Sequence, residues 1–226
     1  MFLHRLHLNL RCRDARRDLA DPYQLHSTLC RAFSEPEHSC PENAFLWRLE
    51  PERDPAGYPR ILVQSRNPPC WERIESRDWF ARNPDPALDL TRRLGLDAFK
   101  AGMDFRFRLR ANPCVTRQGK RLGLMRFEDQ VAWIRKKGIE QHGFELWSNP
   151  GFDLEDAENR CLDLRVSQDQ MLRGRPRSGR EIRVFSVLFE GRLTVTDPDR
   201  FREALLRGIG HGKALGLGLL SVAPIT

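Results

Sequence analysis

Short runs in which apolar and polar residues alternate are spread along the chain and predict β-strands. The first ten residues are typical, because Phe2, Leu6, Leu8 and Leu10 fall on one face of an extended segment. The same reasoning predicts strands at 2–10, 45–49, 60–64 and 105–110, and one or two short helices within 71–100. The first half therefore has the order strand, helix, strand, strand, helix, strand.

Two Asp-Pro pairs predict the starts of helices, since aspartate caps a helix N-terminus and proline is tolerated at the first helical position. Asp21-Pro22 precedes a segment whose apolar residues follow helical spacing as far as Phe33. Asp197-Pro198 precedes a second such segment, which Gly208 is placed to end.

The second half repeats the pattern less clearly. It predicts a helix at 127–139, a strand at 144–147, a hairpin over 182–196 that turns at 190–192, and a last strand at 217–222, while 153–171 is polar and ambiguous. Both halves suit a βαββαβ plan. We therefore predict an α+β protein of two tandem ferredoxin-like (RRM-like) domains, 1–113 and 114–226, joined near 112–121.

Composition adds an electrostatic constraint. The 226 residues carry a formal charge of +7, and 38 basic residues include only five lysines, which leaves 33 arginines. Arginine forms bidentate contacts with phosphate and stacks on bases, so the excess suits a nucleic-acid partner, although codon bias in a GC-rich genome would produce the same composition. No apolar run approaches the ~18 residues of a membrane span and no signal peptide is evident, so we expect a cytoplasmic protein without membrane contact.

Residues 22–34 supply the candidate chemistry. At about 100° per residue, one face of this helix is apolar. The other face carries Tyr23, His26, Ser27, Cys30, Arg31 and Ser34. An imidazole that titrates near neutrality can move a proton, and an arginine and a phenol can stabilise an anion, so the face suits acid–base chemistry on a phosphodiester. The alternative is a solvated face with an incidental histidine.

Basic segments and a glycine-rich tract are candidate phosphate-binding elements. Four arginines, Arg173, Arg175, Arg177 and Arg180, form a loop that either follows a polynucleotide backbone or is a solvated linker. Arg106, Arg108 and Arg110 share one face of the 105–110 strand. Residues 208–218 match neither a P-loop nor a dinucleotide fingerprint, so no nucleotide cofactor is expected. The tract either brings Lys213 to a phosphate or packs as a tight connection. The six cysteines lack zinc spacing, so no metal is expected.

In order and spacing, these features resemble the CRISPR RNA-processing endoribonucleases of type I-E Cascade systems, the CasE family. The resemblance rests on residues 3–10, 21–26 leading to Phe33, 60–65 with Trp71, 105–113, Gly119-Lys120-Arg121, Gly143-Phe144 and, most specifically, 210–220. It implies two ferredoxin-like domains and metal-independent cleavage at the 3′ side of a CRISPR repeat hairpin stem, with other Cascade subunits as partners.

By the same resemblance, Tyr23 and His26 match the family's active-site tyrosine and histidine. The ribose 2′-OH would attack to give a 2′,3′-cyclic phosphate and a 5′-OH, and which group is acid and which is base stays open. The expected RNA-binding residues are Arg31, Arg106, Arg108, Lys120, Arg121, Arg173, Arg175, Arg177, Arg180 and Lys213. A rival hypothesis is a non-catalytic RNA-binding subunit with the same fold, which would not need the Tyr23/His26 pair. A DNA-binding regulator is a third possibility, but the sequence has no helix-turn-helix signal.

Overall fold

A computed structural model describes residues 1–35, 38–76, 78–149, 162–175, 179 and 181–225. Its first sheet has four antiparallel strands in the order β2-β3-β1-β4. The elements of this half are β1 (Phe2–His7), α1 (Arg13–Ala20), α2 (Pro22–Arg31), β2 (Phe45–Leu49), β3 (Arg60–Ser65), a 3₁₀ turn (Trp71–Arg73), β4 (Leu88–Asp89), α3 (Leu90–Leu94) and a second 3₁₀ turn (Leu96–Ala98). This is the ferredoxin-like strand order, with the second helix reduced to the first 3₁₀ turn.

The second sheet has the order β11-β5-β10-β8, which repeats the arrangement of the first. Its half contains β5 (Asp104–Ala111), β6 (Cys114–Arg117), β7 (Lys120–Gly123), α4 (Phe127–Lys137), a π-helical turn (Gly138–His142), β8 (Phe144–Leu146), β9 (Leu164–Gly174), β10 (Ile182–Val195), α5 (Pro198–Arg207), a 3₁₀ turn (Lys213–Leu215) and β11 (Leu220–Pro224). β9 pairs with β10, and β6 with β7 forms a separate hairpin. The prediction of two tandem ferredoxin-like domains is confirmed.

One strand lies in a different sheet from the predicted one. The alternating segment 105–110, expected to complete the first domain, is β5 and pairs with β10 and β11 in the second sheet. Its alternation is real, since Phe105, Phe107 and Leu109 are buried in the second core. Alternation identifies a strand but not its hydrogen-bond partners. The boundary at residue 113 stays a prediction, although this strand, which precedes it, belongs to the second sheet.

The predicted hairpin over 182–196 is wrong, because β10 is one continuous strand. Gly191 does not turn the chain and has no positive φ. It pairs with Phe107 and Leu164, and a Cβ there would collide with the Asp163 carbonyl oxygen. This glycine therefore permits a close backbone approach rather than a turn.

Both Asp-Pro helix starts are confirmed. The Asp21 and Asp197 side chains accept backbone hydrogen bonds at the N-termini of α2 and α5, and Pro22 and Pro198 occupy the first helical positions. Gly208, with φ of 72°, follows the end of α5 as predicted. None of the helices in the described part of the chain is long and apolar enough to cross a membrane.

A buried arginine joins the two sheets. Arg48 on β2 is 1% exposed, and its guanidinium donates to Glu50 Oε1 at 2.7 Å and to the Leu219 carbonyl and Ser221 Oγ at 3.0 Å each. Next to it, a Cβ at Gly216 would approach the Trp47 ring at 2.8 Å, so only glycine fits there. The glycine-rich tract thus packs tightly against the first domain, as one of the two sequence interpretations held.

Candidate active site

Helix α2 positions the candidate catalytic side chains. The Asp21 carboxylate accepts a hydrogen bond from the Tyr23 backbone N–H at 2.9 Å, which satisfies a free donor of the first turn. Leu25 and Leu29 are buried in the first core, which fixes the rotation of the helix about its axis. The opposite face therefore carries Tyr23 and His26, one turn apart, as the residue spacing predicted.

His26 lies half-buried at the edge of that core. Its ring centroid is 5.2 Å from that of Phe45, and its Nε2 is 3.6 Å from Cys30 Sγ. Its Nδ1 is buried without a hydrogen-bond partner. Burial lowers the pKa of His26 below the usual 6.5, because desolvation disfavours the charged imidazolium. The imidazole is therefore neutral at pH 7 and able to accept a proton.

The thiol beside His26 is also neutral. Burial raises the pKa of Cys30 to about 12, so the group is a weak hydrogen-bond partner rather than a thiolate nucleophile. Nothing in the sequence pattern indicated this contact beyond the i, i+4 spacing of the two residues.

Tyr23 lies against the end of β9. A Cβ at Gly174 would be 3.4 Å from the Tyr23 side chain and 2.8 Å from Leu215 Cδ2. The Arg175 backbone N–H donates to the second oxygen of Asp21 at 3.2 Å. The structure thus brings the start of the arginine-rich segment and the turn that contains Lys213 to the first turn of α2.

The predicted RNA-binding residues occupy several surfaces. Arg31, in the last turn of α2, is exposed, as are Arg173 and Arg175. The Arg175 guanidinium is 3.8 Å from Glu181 Oε2. Arg177 and Arg180 lie outside the described residues.

A second basic surface surrounds the glycine-rich tract. The positive charges of Arg121, Lys137 and Lys213, after burial, lower the pKa of His211. Burial and then Arg207 lower the pKa of Lys213 itself. Lys120 is exposed at the tip of the β6–β7 hairpin. Sequence reasoning named Lys120, Arg121 and Lys213 but missed Lys137, whose only signal was its place in the last turn of a helix.

The arginines of β5 share one face, as predicted, but their environments differ. Arg106 is exposed, whereas Arg110 is buried. Arg108 forms ion pairs with Glu50 at 2.7 Å, Glu52 at 3.0 Å and Glu190 at 2.6 Å. These carboxylates raise the pKa of Arg108 against the effect of burial. An RNA phosphate would have to compete with three carboxylates for this guanidinium.

Metal ligands are not clustered at this site. Within the described ranges, no three His, Cys, Asp or Glu side chains lie close enough together to hold an ion. The Asp21 carboxylate, two residues before Tyr23, is already engaged by two backbone donors.

Comparison with known proteins gives concordant matches over nearly the whole chain. A family model described as CRISPR associated protein matches residues 1–224. The chain is 40% identical over 229 residues to the CRISPR-associated endoribonuclease Cse3 of Thermus thermophilus, covering 99% of this chain and 100% of that protein. It is 27% identical over 218 residues to the CRISPR system Cascade subunit CasE of Escherichia coli, covering 91% and 93%. A structure of Cse3 bound to 19 nt RNA superposes with a TM-score of 0.81 at 39% identity, covering 99% and 100%.

Proposed function

Since this chain belongs to the family of CRISPR-associated proteins, we propose that it is an endoribonuclease that cleaves CRISPR precursor RNA. It cuts at the 3′ side of the repeat hairpin stem, needs no metal or nucleotide cofactor, and acts in the cytoplasm. It retains the mature guide RNA as a Cascade subunit. The names of the two curated relatives support the reaction and the assembly, respectively.

The chemistry follows from Tyr23 and His26. The ribose 2′-oxygen attacks the adjacent phosphorus, so the O2′–P bond forms as the P–O5′ bond breaks. One proton leaves the 2′-OH and one is delivered to the departing 5′-oxygen, which gives a 2′,3′-cyclic phosphate and a 5′-OH. Neutral His26 transfers one of these protons, and the Tyr23 hydroxyl positions the sugar or the phosphate.

The RNA-binding role rests on the exposed cations around α2. Arg173 and Arg175 grip the stem backbone near Tyr23, while the second basic surface binds phosphates further along the RNA. The proposed contacts are Arg31, Arg106, Arg108, Lys120, Arg121, Arg173, Arg175, Arg177, Arg180 and Lys213. Arg108 is the weakest of these candidates because of its three ion pairs.

One observation carries the proposal. A neutral, half-buried histidine stands one turn from a tyrosine on the polar face of α2, in a chain 40% identical to an endoribonuclease. A non-catalytic RNA-binding subunit would have no use for this pair.

The test is cleavage of a labelled repeat hairpin in single turnover with EDTA present. His26→Ala should lower the rate by about 10²–10⁴, the usual loss for one acid–base group, and leave the hairpin Kd within a few-fold. Tyr23→Phe should slow cleavage less. His38→Ala is the matched control, because the side chain of this histidine is 74% exposed and lies beyond the end of α2. This variant should cleave at the wild-type rate. Tight binding without cleavage by the unmodified protein would favour the non-catalytic subunit instead.

A further inference from the structure

The Asp21 carboxylate makes two hydrogen bonds that lead in different directions. One oxygen accepts from the Tyr23 backbone N–H at 2.9 Å, within its own helix. The other accepts from the Arg175 backbone N–H at 3.2 Å, across 154 residues of sequence. A single side chain thus links the first turn of α2 to the end of β9.

The second hydrogen bond is not needed to cap a helix. Asp197 has the same backbone conformation, with φ of −135° and ψ of 104° against −134° and 105° for Asp21, and it is also followed by proline. Yet one Asp197 oxygen accepts both N-cap bonds, from the backbone N–H groups of Asp199 and Arg200 at 3.1 Å each. The contact from Asp21 to Arg175 is therefore a tertiary feature, separable from capping.

Close packing at Gly174 restricts the backbone next to Arg175. Gly174, next to Arg175, is buried between Tyr23 and Leu215, and a Cβ there would come within 2.8 Å of Leu215 Cδ2. Because the backbone is held on one side by this packing and on the other by Asp21, the arginine-rich segment begins at a fixed point beside Tyr23.

We propose that Asp21 is a positioning residue that docks residues 173–175, the start of the arginine-rich segment, onto the active-site helix. An RNA backbone held by Arg173 and Arg175 is then placed in register with Tyr23 and His26. The role rests on the proposed function, since it assumes that Tyr23 and His26 are the catalytic pair.

The decisive variant is Asp21→Asn. Asparagine keeps an oxygen to cap α2, and it is as good an N-cap as aspartate. Its amide nitrogen would face the Arg175 N–H, however, and two donors cannot bond. Asp197→Asn is the matched control, because it makes the same chemical change at an N-cap that has no bond to β9.

We expect Asp21→Asn to slow single-turnover cleavage at saturating hairpin by about 3- to 10-fold, the effect of one lost hydrogen bond on a positioned group. Asp197→Asn should cleave at the wild-type rate, and the two variants should melt within a few degrees of each other. The loss of hairpin affinity caused by Arg173→Gln with Arg175→Gln should be smaller in the Asp21→Asn background than in the wild type, because an undocked segment contributes less.

A readout without catalysis separates this inference from the proposed function. Hydrogen exchange of the Arg175 amide should accelerate in Asp21→Asn but not in Asp197→Asn. If Asp21→Asn matches Asp197→Asn in exchange, cleavage and coupling, the docking role is refuted. If the wild type binds the hairpin without cleaving it, the proposed function fails, while the exchange measurement and the affinity cycle still decide the docking.

Discussion

Replacing Arg48 with alanine should destabilise the protein far more than removing a surface arginine. Its guanidinium is 1% exposed and donates to four acceptors, Glu50 Oε1, Ser221 Oγ and the carbonyls of Arg108 and Leu219, at 2.7–3.0 Å. Arg108 lies on β5, Ser221 lies on β11 and Leu219 immediately precedes β11, so the side chain fastens the first sheet to the second.

The magnitude follows from what the substitution leaves behind. Removing one partner of a buried ion pair typically costs about 3–5 kcal/mol, because the other charge stays buried. Glu50 would not be entirely unpaired, since its Oε2 remains 2.7 Å from Arg108 Nη1. The lower end of that range therefore applies, and we expect about 3 kcal/mol. This is a large share of the ~5–15 kcal/mol by which domains are stable.

Urea unfolding, followed by far-ultraviolet circular dichroism and by tryptophan fluorescence, measures this difference. Arg5→Ala is the control, because Arg5 is 53% exposed and meets Asp85 only at 3.5 Å, and it should change the unfolding free energy by about 0–1 kcal/mol. Arg48→Lys should rescue little, since an ammonium cannot reach four acceptors arranged around a planar fork. An Arg48→Ala variant as stable as Arg5→Ala would refute the bridging role.

Three further predictions concern pH, salt and metal. Burial and the charges of Lys137 and Lys213 lower the pKa of His142 to about 4. As the pH drops from 6.5 to 4, the unfolded chain therefore binds a proton at His142 before the folded protein does. The unfolding free energy should fall by ~1–2 kcal/mol over this range, after allowance for solvent screening. Urea titrations of the wild type and His142→Gln at both ends of this range check it, and identical pH dependence in the two would contradict it. Replacing Arg173, Arg175 and Arg177 together with glutamine should weaken hairpin binding and reduce the log–log salt slope by about one per lost phosphate contact, and an unchanged affinity and slope would make the segment a solvated linker. Cleavage should continue unchanged in excess EDTA, so a strict Mg²⁺ requirement with RNA folding held constant would refute the metal-independent mechanism.

Local signals predicted the elements of this fold better than their partners. Asp21-Pro22 and Asp197-Pro198 gave both helix starts, because capping depends on neighbours in the sequence. β5 was recognised as a strand and assigned to the wrong sheet, since its partners β10 and β11 lie far away in the sequence. Gly191 was misread as a turn because a close backbone contact and a turn both require glycine.

In the candidate site, too, local features could be predicted from the sequence, whereas contacts between distant residues could not. Helical spacing alone placed Tyr23 and His26 on one face of α2, where the structure shows His26 half-buried. The contact between Asp21 and Arg175 spans 154 residues, so no local pattern could reveal it. The burial of Arg48 could not be predicted from the run Phe45-Leu46-Trp47-Arg48-Leu49 either, because an arginine between apolar residues usually marks the exposed face of a strand.

The contact between Arg48 and Leu219 has a consequence for how the chain is made. The two residues are 171 positions apart, so the acceptors at Leu219 and Ser221 are synthesised long after Arg48. Until then the growing chain holds an arginine that lacks two of its four acceptors and a Trp47 ring that lacks its contact with Gly216, and such incompletely packed surfaces invite misassembly during synthesis. Synthesis of the segment from Gly216 to Ser221 is therefore the step that completes the packing around Arg48 and Trp47, and a stop codon placed before Gly216 should yield a protein whose N-terminal half is itself poorly folded.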